Sequence, residues 1–260
     1  MNATVEAQPP PPETLIAGGR GRPAGEGASW IGSGWRLFTR AALMWILAML
    51  ILFVIYIVAN FIPIVGPIVM HILNPVFAAG LMVACASLDR GGEFELEHLF
   101  AGFKRNFASL LVVGIVIGLV ELAILLAFVG IAGIGLLGLI FTSASGEQAE
   151  QILQASLIPL LLGTLVALAL MVPVFMAYWF APALVVLHDM EPMAALKESF
   201  KACLRNIMPS LIYGILMFLL GLLVPLTLGL GLLVWVPLFF TSTYAAYRDI
   251  FIAAPAAAPA

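Results

Sequence analysis

The sequence predicts an all-α integral membrane protein with six transmembrane helices, built as three repeated hairpins that are each preceded by an amphipathic helix at the cytoplasmic surface. Three observations predict this fold. The 260-residue chain is 63% hydrophobic and only 10% charged, whereas a soluble domain has about 25% charged residues. Long stretches contain no Asp, Glu, Lys or Arg. Similar segments also recur at a spacing of about 100 residues, as in a repeat protein.

The two ends of the chain have the composition of disordered segments. Residues 1–28 contain a run of prolines at positions 9–12 and continue into a stretch rich in glycine and arginine, and residues 251–260 consist mainly of alanine and proline. The N-terminal segment is not expected to be a cleavable signal peptide, because it does not have the basic region and apolar core of one. We therefore expect two disordered tails around a membrane domain of residues 29–250, with repeats at about 29–90, 91–190 and 191–250.

The first and last uncharged stretches each predict a helical hairpin. Residues 41–88 and 206–247 contain no Asp, Glu, Lys or Arg, and a membrane crossing needs about 20 apolar residues. Each stretch is therefore long enough for two crossings. Proline and glycine at residues 63–67 and 225–231 break the two stretches near their middle.

The middle block decides the number of helices. Residues 106–141 are too long for one ordinary span, and residues 142–156 form a polar loop on the opposite side of the membrane. One span here places every Lys and Arg on one side, which the positive-inside rule assigns to the cytoplasm together with both termini. Whether residues 130–141 extend the third helix or form a re-entrant segment stays open. The cations are Arg20, Arg22, Arg36, Arg40, Arg90, Lys104, Arg105, Lys197, Lys201, Arg205 and Arg248.

Matched residues define the repeat. Asp89 aligns with Asp189, and Gly114 aligns with Gly214. The descending helix of each hairpin contains one proline, for which we predict a kink because proline lacks a backbone N–H donor. These prolines are Pro75, Pro173 and Pro237.

Each repeat opens with an amphipathic segment. In the first repeat, Ser29 is expected to cap a helix whose apolar face is Ile31, Trp35 and Phe38. Apolar residues recur at helical spacing in the other two segments, as Leu96, Leu99, Phe100, Phe103 and Phe107 and as Leu196, Phe200, Cys203, Leu204 and Ile207. We expect the cations of these segments to contact anionic lipid headgroups. They are Arg36, Arg40, Lys104, Arg105, Lys197, Lys201 and Arg205.

One charged residue, Glu121, lies inside a predicted span, and an ionisable group at this depth is costly enough to indicate a function. His71, Asn74 and Thr164 are expected in the same outer half of the membrane, where all four could line a polar pocket with Glu121 paired to His71. A protonated Glu121 that hydrogen-bonds to a neighbouring helix is the alternative. The Gly114–Gly118 pair is expected to promote helix packing within the bundle.

Several function classes have no support in the sequence. The chain has no His-Glu-x-x-His motif, Walker loop or Gly-x-Ser-x-Gly elbow, and its cations form no basic run typical of nucleic-acid binding. The two cysteines, Cys85 and Cys203, are predicted to be free thiols. We therefore expect no enzyme activity, metal or cofactor.

Residues 181–206 resemble the linker of uncharacterised bacterial six-span inner-membrane proteins, a family related to the membrane domain attached to some glycerophosphodiester phosphodiesterases. In that pattern, an acidic or amide residue near the end of an apolar helix is followed by a short x-Pro-hydrophobic-x-Ala-Leu helix, an aromatic and a base. The matching residues are Asp189, Pro192, Ala195, Leu196, Phe200 and Arg205. The resemblance implies no catalytic residue, and the phosphodiesterase domain is absent.

The expected function is that of a non-enzymatic scaffold in the bacterial inner membrane that interacts with lipids or with an unknown membrane-protein partner. The alternative is a small permease with an outward-facing polar pocket around Glu121. The sequence indicates neither a substrate nor an oligomeric state.

Overall fold

The structure, a computed structural model, describes residues 14–141 and 146–253. Within these residues the regular structure is helical, apart from one isolated bridge between Leu15 and Ile252. Short 3₁₀ helices cover Leu96–Phe100 and Pro225–Thr227. The α-helices are α1 (Glu26–Arg40), α2 (Ala42–Asn60), α3 (Val65–Asp89), α4 (Ala101–Lys104), α5 (Phe107–Phe141), α6 (Glu147–Tyr178), α7 (Ala181–His188), α8 (Pro192–Arg205), α9 (Ile207–Gly221) and α10 (Leu232–Phe251).

In the described part of the chain, five helical stretches are long and apolar enough to cross a membrane: Ala42–Asn60, Val65–Asp89, Phe107–Ile131, Glu150–His188 and Ile207–Thr227. They match five of the six predicted spans. The sixth prediction falls on α10, which has 20 residues but carries Arg248 and Asp249 near its end and is less apolar than the others. A sixth crossing therefore stays a prediction.

The middle block differs from the expected loop. Helix α5 continues without interruption to Phe141, so residues 130–141 extend the third helix. Helix α6 already begins at Glu147, which makes the predicted polar loop of residues 142–156 too long. Glu147 and Glu150 lie in the first turn of α6, where acidic side chains favour a helix because of its dipole. Residues 142–145 lie outside the described residues.

Helix α3 forms the centre of the bundle. Within the most apolar part of this helix, 61% of the residues are buried by the protein, against 11–22% for the other four candidate spans. Small residues such as Ala79, Gly80 and Ala84 let neighbouring helices approach closely. An added Cβ at Gly114 of α5 would overlap the backbone carbonyl of Ile72 in α3, which agrees with the predicted packing role of this glycine.

Helix α1 packs along α10 and α9, and its buried face agrees only partly with the predicted apolar face. The helix begins at Glu26 without a Ser29 cap, and its buried residues include Trp30, Leu37 and Phe38. Trp35 is 48% exposed, whereas Trp30, which the predicted apolar face does not include, is buried. Gly34 determines the orientation, because a Cβ at this position would lie 2.6 Å from the backbone nitrogen of Ser242 in α10.

The other two amphipathic segments agree only partly with the predicted faces. The second is split into a 3₁₀ turn and α4, and the chain then turns at Asn106, whose φ is +55°, before α5 starts. Leu99 is fully buried, while Phe100, Phe103 and Phe107 are partly exposed. The ring of Phe103 stacks on that of Phe107 and is tilted against that of Phe100. In α8, Leu196 and Cys203 are buried, but Leu204 is exposed.

The packed part of the chain extends beyond the predicted domain. Residues Thr14–Arg22, expected within a disordered tail of residues 1–28, lie along the end of α10. Backbone N–H groups of Ile16 and Arg20 donate to the carbonyls of Phe251 and Ile250, at 2.7 and 2.9 Å. At the other end, Phe251 and Ile252 are buried, although the sequence predicts a tail from residue 251. Residues 1–13 and 254–260 lie outside the described residues.

The three matched prolines lie inside helices. Pro75, Pro173 and Pro237 are in the interiors of α3, α6 and α10. Each lacks the N–H that would bond to the carbonyl four residues earlier, and for Pro75 that carbonyl belongs to His71. Helix α6 contains a second interior proline, Pro159, which the repeat comparison missed.

Candidate functional site

A polar cluster lies within the membrane-spanning helices, between α3 and α5. His71 Nε2 and Glu121 Oε2 are 2.7 Å apart, the distance of a hydrogen bond in which the imidazole N–H donates to the carboxylate. The two side chains line a cavity of about 200 Å³ together with residues of α3, α5 and α6. The structure therefore brings together the two residues that the sequence pairs.

Asn74 connects this cavity to two further helices. The hydroxyl of Tyr178 in α6 donates to Asn74 Oδ1 at 2.5 Å, and Asn74 Nδ2 donates to the hydroxyl of Tyr56 in α2 at 3.3 Å. Sequence reasoning missed both tyrosines because it searched for charged, amide and threonine side chains. The signal that could have found them is a phenol hydroxyl at membrane depth, since a buried tyrosine hydroxyl usually has a hydrogen-bond partner.

Thr164, the fourth predicted member of the pocket, does not join the cluster. Its hydroxyl donates to the carbonyl of Leu160 in the same helix at 2.8 Å. The residues that line the cavity on α6 are instead Met171, Phe175 and Tyr178, two or more turns further along the helix. A threonine can satisfy its hydroxyl within its own helix, so an intramembrane threonine alone is a weak predictor of a shared pocket.

A larger apolar groove, of about 580 Å³, lies next to the cluster between α2, α3 and α10. Tyr56 and Asn74 are the polar residues that line it, and Asn74 also lines the smaller cavity. Among residues 14–141 and 146–253, the structure has no group of three or more His, Cys, Asp or Glu side chains that could hold a metal ion. The cluster offers hydrogen-bond donors and acceptors beside an apolar surface.

A second polar site lies where the N-terminal strap, Thr14–Arg22, meets the end of α10. Asp249 accepts hydrogen bonds from Arg22 Nε at 2.8 Å and from Trp30 Nε1 at 2.9 Å. The other carboxylate oxygen of Asp249 lies 2.8 Å from Arg22 Nη2, which makes this pair bidentate. Asn206 fixes the same strap, since its side chain accepts from Arg22 N and donates to Arg20 O. These contacts connect the strap to the start of α9 and the end of α10.

The same end of the bundle contains a cavity of about 470 Å³ with mixed charge. Its acidic lining residues have arginine partners: Asp249 is paired as described, Asp89 lies 3.2 Å from Arg248 Nε, and Glu26 lies 3.5 Å from Arg22 Nη2. Arg36 and Arg40 also line the cavity, but their hydrogen-bond partners are neutral. Arg36 Nη2 donates to Ser33 Oγ at 2.9 Å, and Arg40 Nη1 donates to the carbonyl of Leu88 at 3.1 Å.

The remaining predicted headgroup residues differ in their partners. Lys104 pairs with Glu97 at 3.0 Å and Lys201 pairs with Glu198 at 2.9 Å. In each pair, the hydrogen bond from the lysine lowers the pKa of the glutamate below its ordinary value. Arg205 donates to the carbonyl of Gly19 in the strap. Arg105 and Lys197 are exposed.

Both cysteines are free and buried. For Cys203, which lies in α8, burial raises the pKa of the thiol to about 12. The thiol of Cys203 is therefore protonated at neutral pH and unreactive, since the thiolate is the nucleophile.

Comparisons with known proteins give a family. Residues 29–259 match the model of a domain of unknown function, DUF7847. A probable inner membrane protein of Burkholderia thailandensis is 28% identical over 244 residues, which cover 86% of this chain and 90% of the relative. No solved structure matches the chain. With its five apolar helices the chain is a multi-pass inner-membrane protein, and it belongs to the DUF7847 family.

Proposed function

We propose that this protein is a non-enzymatic scaffold of the inner membrane that binds anionic lipids through the basic end of its helical bundle. This end carries the predicted headgroup residues Arg36, Arg40, Lys104, Arg105, Lys197, Lys201 and Arg205. In this proposal the chain crosses the membrane six times as three related hairpins, and both termini lie in the cytoplasm. Its relation to the membrane domain of glycerophosphodiester phosphodiesterases is part of the same proposal and rests on the resemblance of residues 181–206.

The observation that carries the proposal is the way in which the amphipathic segments are anchored. Helix α1 and helix α8 bury apolar residues such as Trp30 and Leu196 against the bundle, while Arg36 and Lys197 are exposed. The cations are therefore held on a rigid surface at the ends of the spans. Such a surface suits anionic headgroups, for which each nearby Lys or Arg contributes about 1 kcal/mol.

The path of α10 supports the sixth crossing. A helix of 20 residues is about 30 Å long, which equals the thickness of the hydrocarbon core. Its last turn contacts the last residue of α3, because Arg248 pairs with Asp89. Helix α10 therefore ends on the same side of the bundle as α3, as a descending sixth span would.

Cysteine labelling tests this topology. A variant in which Cys85 and Cys203 are replaced by serine would carry one new cysteine, at Glu13 or at Gly229. We expect a membrane-impermeant maleimide added to intact cells to label the cysteine at Gly229 and to leave the one at Glu13 unlabelled. Labelling of both positions from the outside would contradict the six-span arrangement.

Binding of fluorescent lipids in detergent tests the lipid function. The purified protein in detergent would be mixed with fluorescent phosphatidylglycerol or phosphatidylcholine, and the five cations Lys104, Arg105, Lys197, Lys201 and Arg205 would be replaced by glutamine. We expect the intact protein to prefer phosphatidylglycerol and this preference to fall severalfold in the variant, because several anion contacts are lost. An unchanged preference would contradict the proposal.

One observation favours a second candidate function, that of a small permease. The cavity next to His71 and Glu121 places a carboxylate, an imidazole and an amide at membrane depth, where such groups usually mark a pathway for ions or solutes. If the protein is a permease, Glu121→Gln should abolish uptake of its solute and Thr164→Val should not. The scaffold function is supported if the five-cation variant loses its preference for phosphatidylglycerol and Glu121→Gln does not change solute uptake.

A further inference from the structure

Two arginines on the exposed side of α1 form no ion pair with an acidic residue among the described residues. Arg36 and Arg40 are one helical turn apart, a spacing that brings side chains next to each other on one helix face. Both line the cavity of about 470 Å³ at the basic end of the bundle. Their hydrogen-bond acceptors are the Ser33 hydroxyl and the Leu88 carbonyl, which are uncharged.

The acidic residues of this cavity are already paired with other arginines. Asp249 is held by Arg22 and Asp89 by Arg248, so the carboxylates do not neutralise the two guanidinium groups on α1. The described lining residues include four arginines, Arg20, Arg36, Arg40 and Arg248, against three acids, Glu26, Asp89 and Asp249. The cavity therefore has a positive surplus that is concentrated at Arg36 and Arg40.

The position of this pair in the chain places it at the level of lipid headgroups. Arg40 is two residues before the first residue of α2, and the Leu88 carbonyl that it contacts lies at the end of α3. Both α2 and α3 are candidate membrane spans. Trp35, next to Arg36 in sequence, is 48% exposed, as expected for an aromatic residue in the interfacial belt.

The arginines are also held in place before any ligand binds. Helix α1 is fixed by the close approach of Gly34 to the backbone of α10, and the Leu88 carbonyl ties Arg40 to the end of α3. A guanidinium group presents several N–H donors in a planar fork that matches two oxygens of one phosphate. A pre-ordered pair loses less entropy on binding than two free surface side chains would.

We propose that Arg36 and Arg40 form a phosphate-binding site whose ligand is the headgroup phosphate of an anionic phospholipid or, by the same chemistry, free inorganic phosphate. This inference rests on the proposed lipid-binding function and places its strongest phosphate contact in one cavity. The Ser29 and Ser33 hydroxyls line the same cavity and supply further hydrogen-bonding groups.

Native mass spectrometry of the delipidated protein tests this site. Short-chain phosphatidylglycerol, phosphatidylcholine and inorganic phosphate would each be titrated against the intact chain, Arg36→Gln/Arg40→Gln and Arg105→Gln/Lys197→Gln. The last variant is the matched comparison, because it removes the same charge from exposed headgroup-contact positions outside the cavity. A third variant, Arg36→Lys/Arg40→Lys, keeps the charge and removes the planar fork.

We expect Arg36→Gln/Arg40→Gln to lower phosphatidylglycerol affinity at least tenfold, the matched comparison to lower it less than threefold, and the lysine variant to lie between them. Displacement of phosphatidylglycerol by inorganic phosphate would support the site with the free anion as a ligand, and no displacement would support it with the lipid as the ligand. Equal losses in Arg36→Gln/Arg40→Gln and the matched comparison would overturn the site.

The two proposals can fail separately. If the five-cation variant described above loses its lipid preference while Arg36→Gln/Arg40→Gln keeps full affinity, the lipid-binding function stands and the phosphate site is wrong. If the intact chain binds phosphatidylglycerol and phosphatidylcholine equally, both proposals are wrong. An unchanged melting temperature of the ligand-free variants would show that any loss of affinity does not come from misfolding.

Discussion

The arginines at the basic end of the bundle fall into two groups with different uses. Arg22 makes a bidentate contact with Asp249 and connects the N-terminal strap to α10, and Arg248 pairs with Asp89. Arg36 and Arg40 lie beside the same cavity and contact only a hydroxyl and a carbonyl among the described residues. The first group stabilises the fold, and the second group is available to a ligand.

This difference depends on whether an arginine has an acidic partner within the protein. Each acidic residue that lines the cavity has an arginine partner, so the positive surplus lies at the arginines without an acidic neighbour. Asp249 and Glu121 also differ in their number of partners. Asp249 accepts hydrogen bonds from several donors, whereas the partner of Glu121 among the described residues is His71. Substitutions in the first group should therefore lower stability and keep ligand binding, whereas substitutions in the second group should keep stability and weaken ligand binding.

The largest effect is expected for Asp249→Asn. The side chains of Arg22 and Asp249 are 26% and 19% exposed, so the substitution removes a partly buried negative charge and leaves one acceptor oxygen where Arg22 and the Trp30 indole N–H now use two. We expect a loss of about 3 kcal/mol of stability, as for a broken buried ion pair. Thermal unfolding in detergent would measure it, with Glu97→Gln as the control because the Glu97–Lys104 pair is exposed. Similar melting temperatures for the two variants would contradict the structural role of Asp249.

A somewhat smaller effect is expected for Gly34→Ala. The new Cβ would meet backbone and side-chain atoms of Ser242, which cannot easily move aside, so α1 must shift away from α10. Overpacking of this kind costs about 2 kcal/mol. Gly32→Ala is the control in the same helix, because an added Cβ there has no neighbour within 4 Å. Equal stability of the two variants would show that α1 is not held in this position.

The docking of the strap should depend weakly on pH through Glu198. Its carboxylate accepts hydrogen bonds from Lys201 and from the backbone N–H of Gly18, and these contacts lower its pKa below the ordinary value. A carboxylate with a lowered pKa stabilises the folded state above its unfolded pKa of about 4.3, and the contribution is lost as the pH falls through the folded pKa. We expect faster proteolysis within Thr14–Arg22 below about pH 4. In Glu198→Gln this pH dependence should be reduced, and an identical profile would contradict the assignment.

The smallest effect on stability is expected for Arg36→Gln/Arg40→Gln in the absence of lipid. Both side chains are exposed and lack an acidic partner among the described residues. The free energy of unfolding, measured through the melting temperature, should therefore change by less than about 0.5 kcal/mol. A loss comparable to that of Asp249→Asn would place these two arginines in the structural group.

The sequence predicts the hydrophobic helices well because membrane crossing depends on length and composition alone. It also pairs His71 with Glu121, since both lie at similar depth on helices that are close in the chain. The repeat, by contrast, suggests that aligned residues have equivalent surroundings, and the packing of the helices differs between them. Gly114 approaches the backbone of α3, whereas an added Cβ at the aligned Gly214 has no neighbour within 4 Å.

The faces of the amphipathic segments could not be predicted reliably from periodicity. Trp30 and Trp35 differ by less than two turns of α1, and only contact with α9 and α10 decides that the first is buried and the second exposed. The strap was missed for a related reason. Glycine-rich sequences such as residues 17–21 have the composition of disordered chain, and their order here comes from backbone hydrogen bonds to α10.

The lipid-dependent melting temperature tests the central claim most directly. It would be measured with and without phosphatidylglycerol for the intact chain, Asp249→Asn and Arg36→Gln/Arg40→Gln. A ligand that binds the folded state raises the melting temperature. We predict that Asp249→Asn lowers the melting temperature but keeps the increase caused by phosphatidylglycerol, while Arg36→Gln/Arg40→Gln keeps the melting temperature and loses the increase. An undiminished increase in the arginine variant would contradict the separation of structural and lipid-binding arginines.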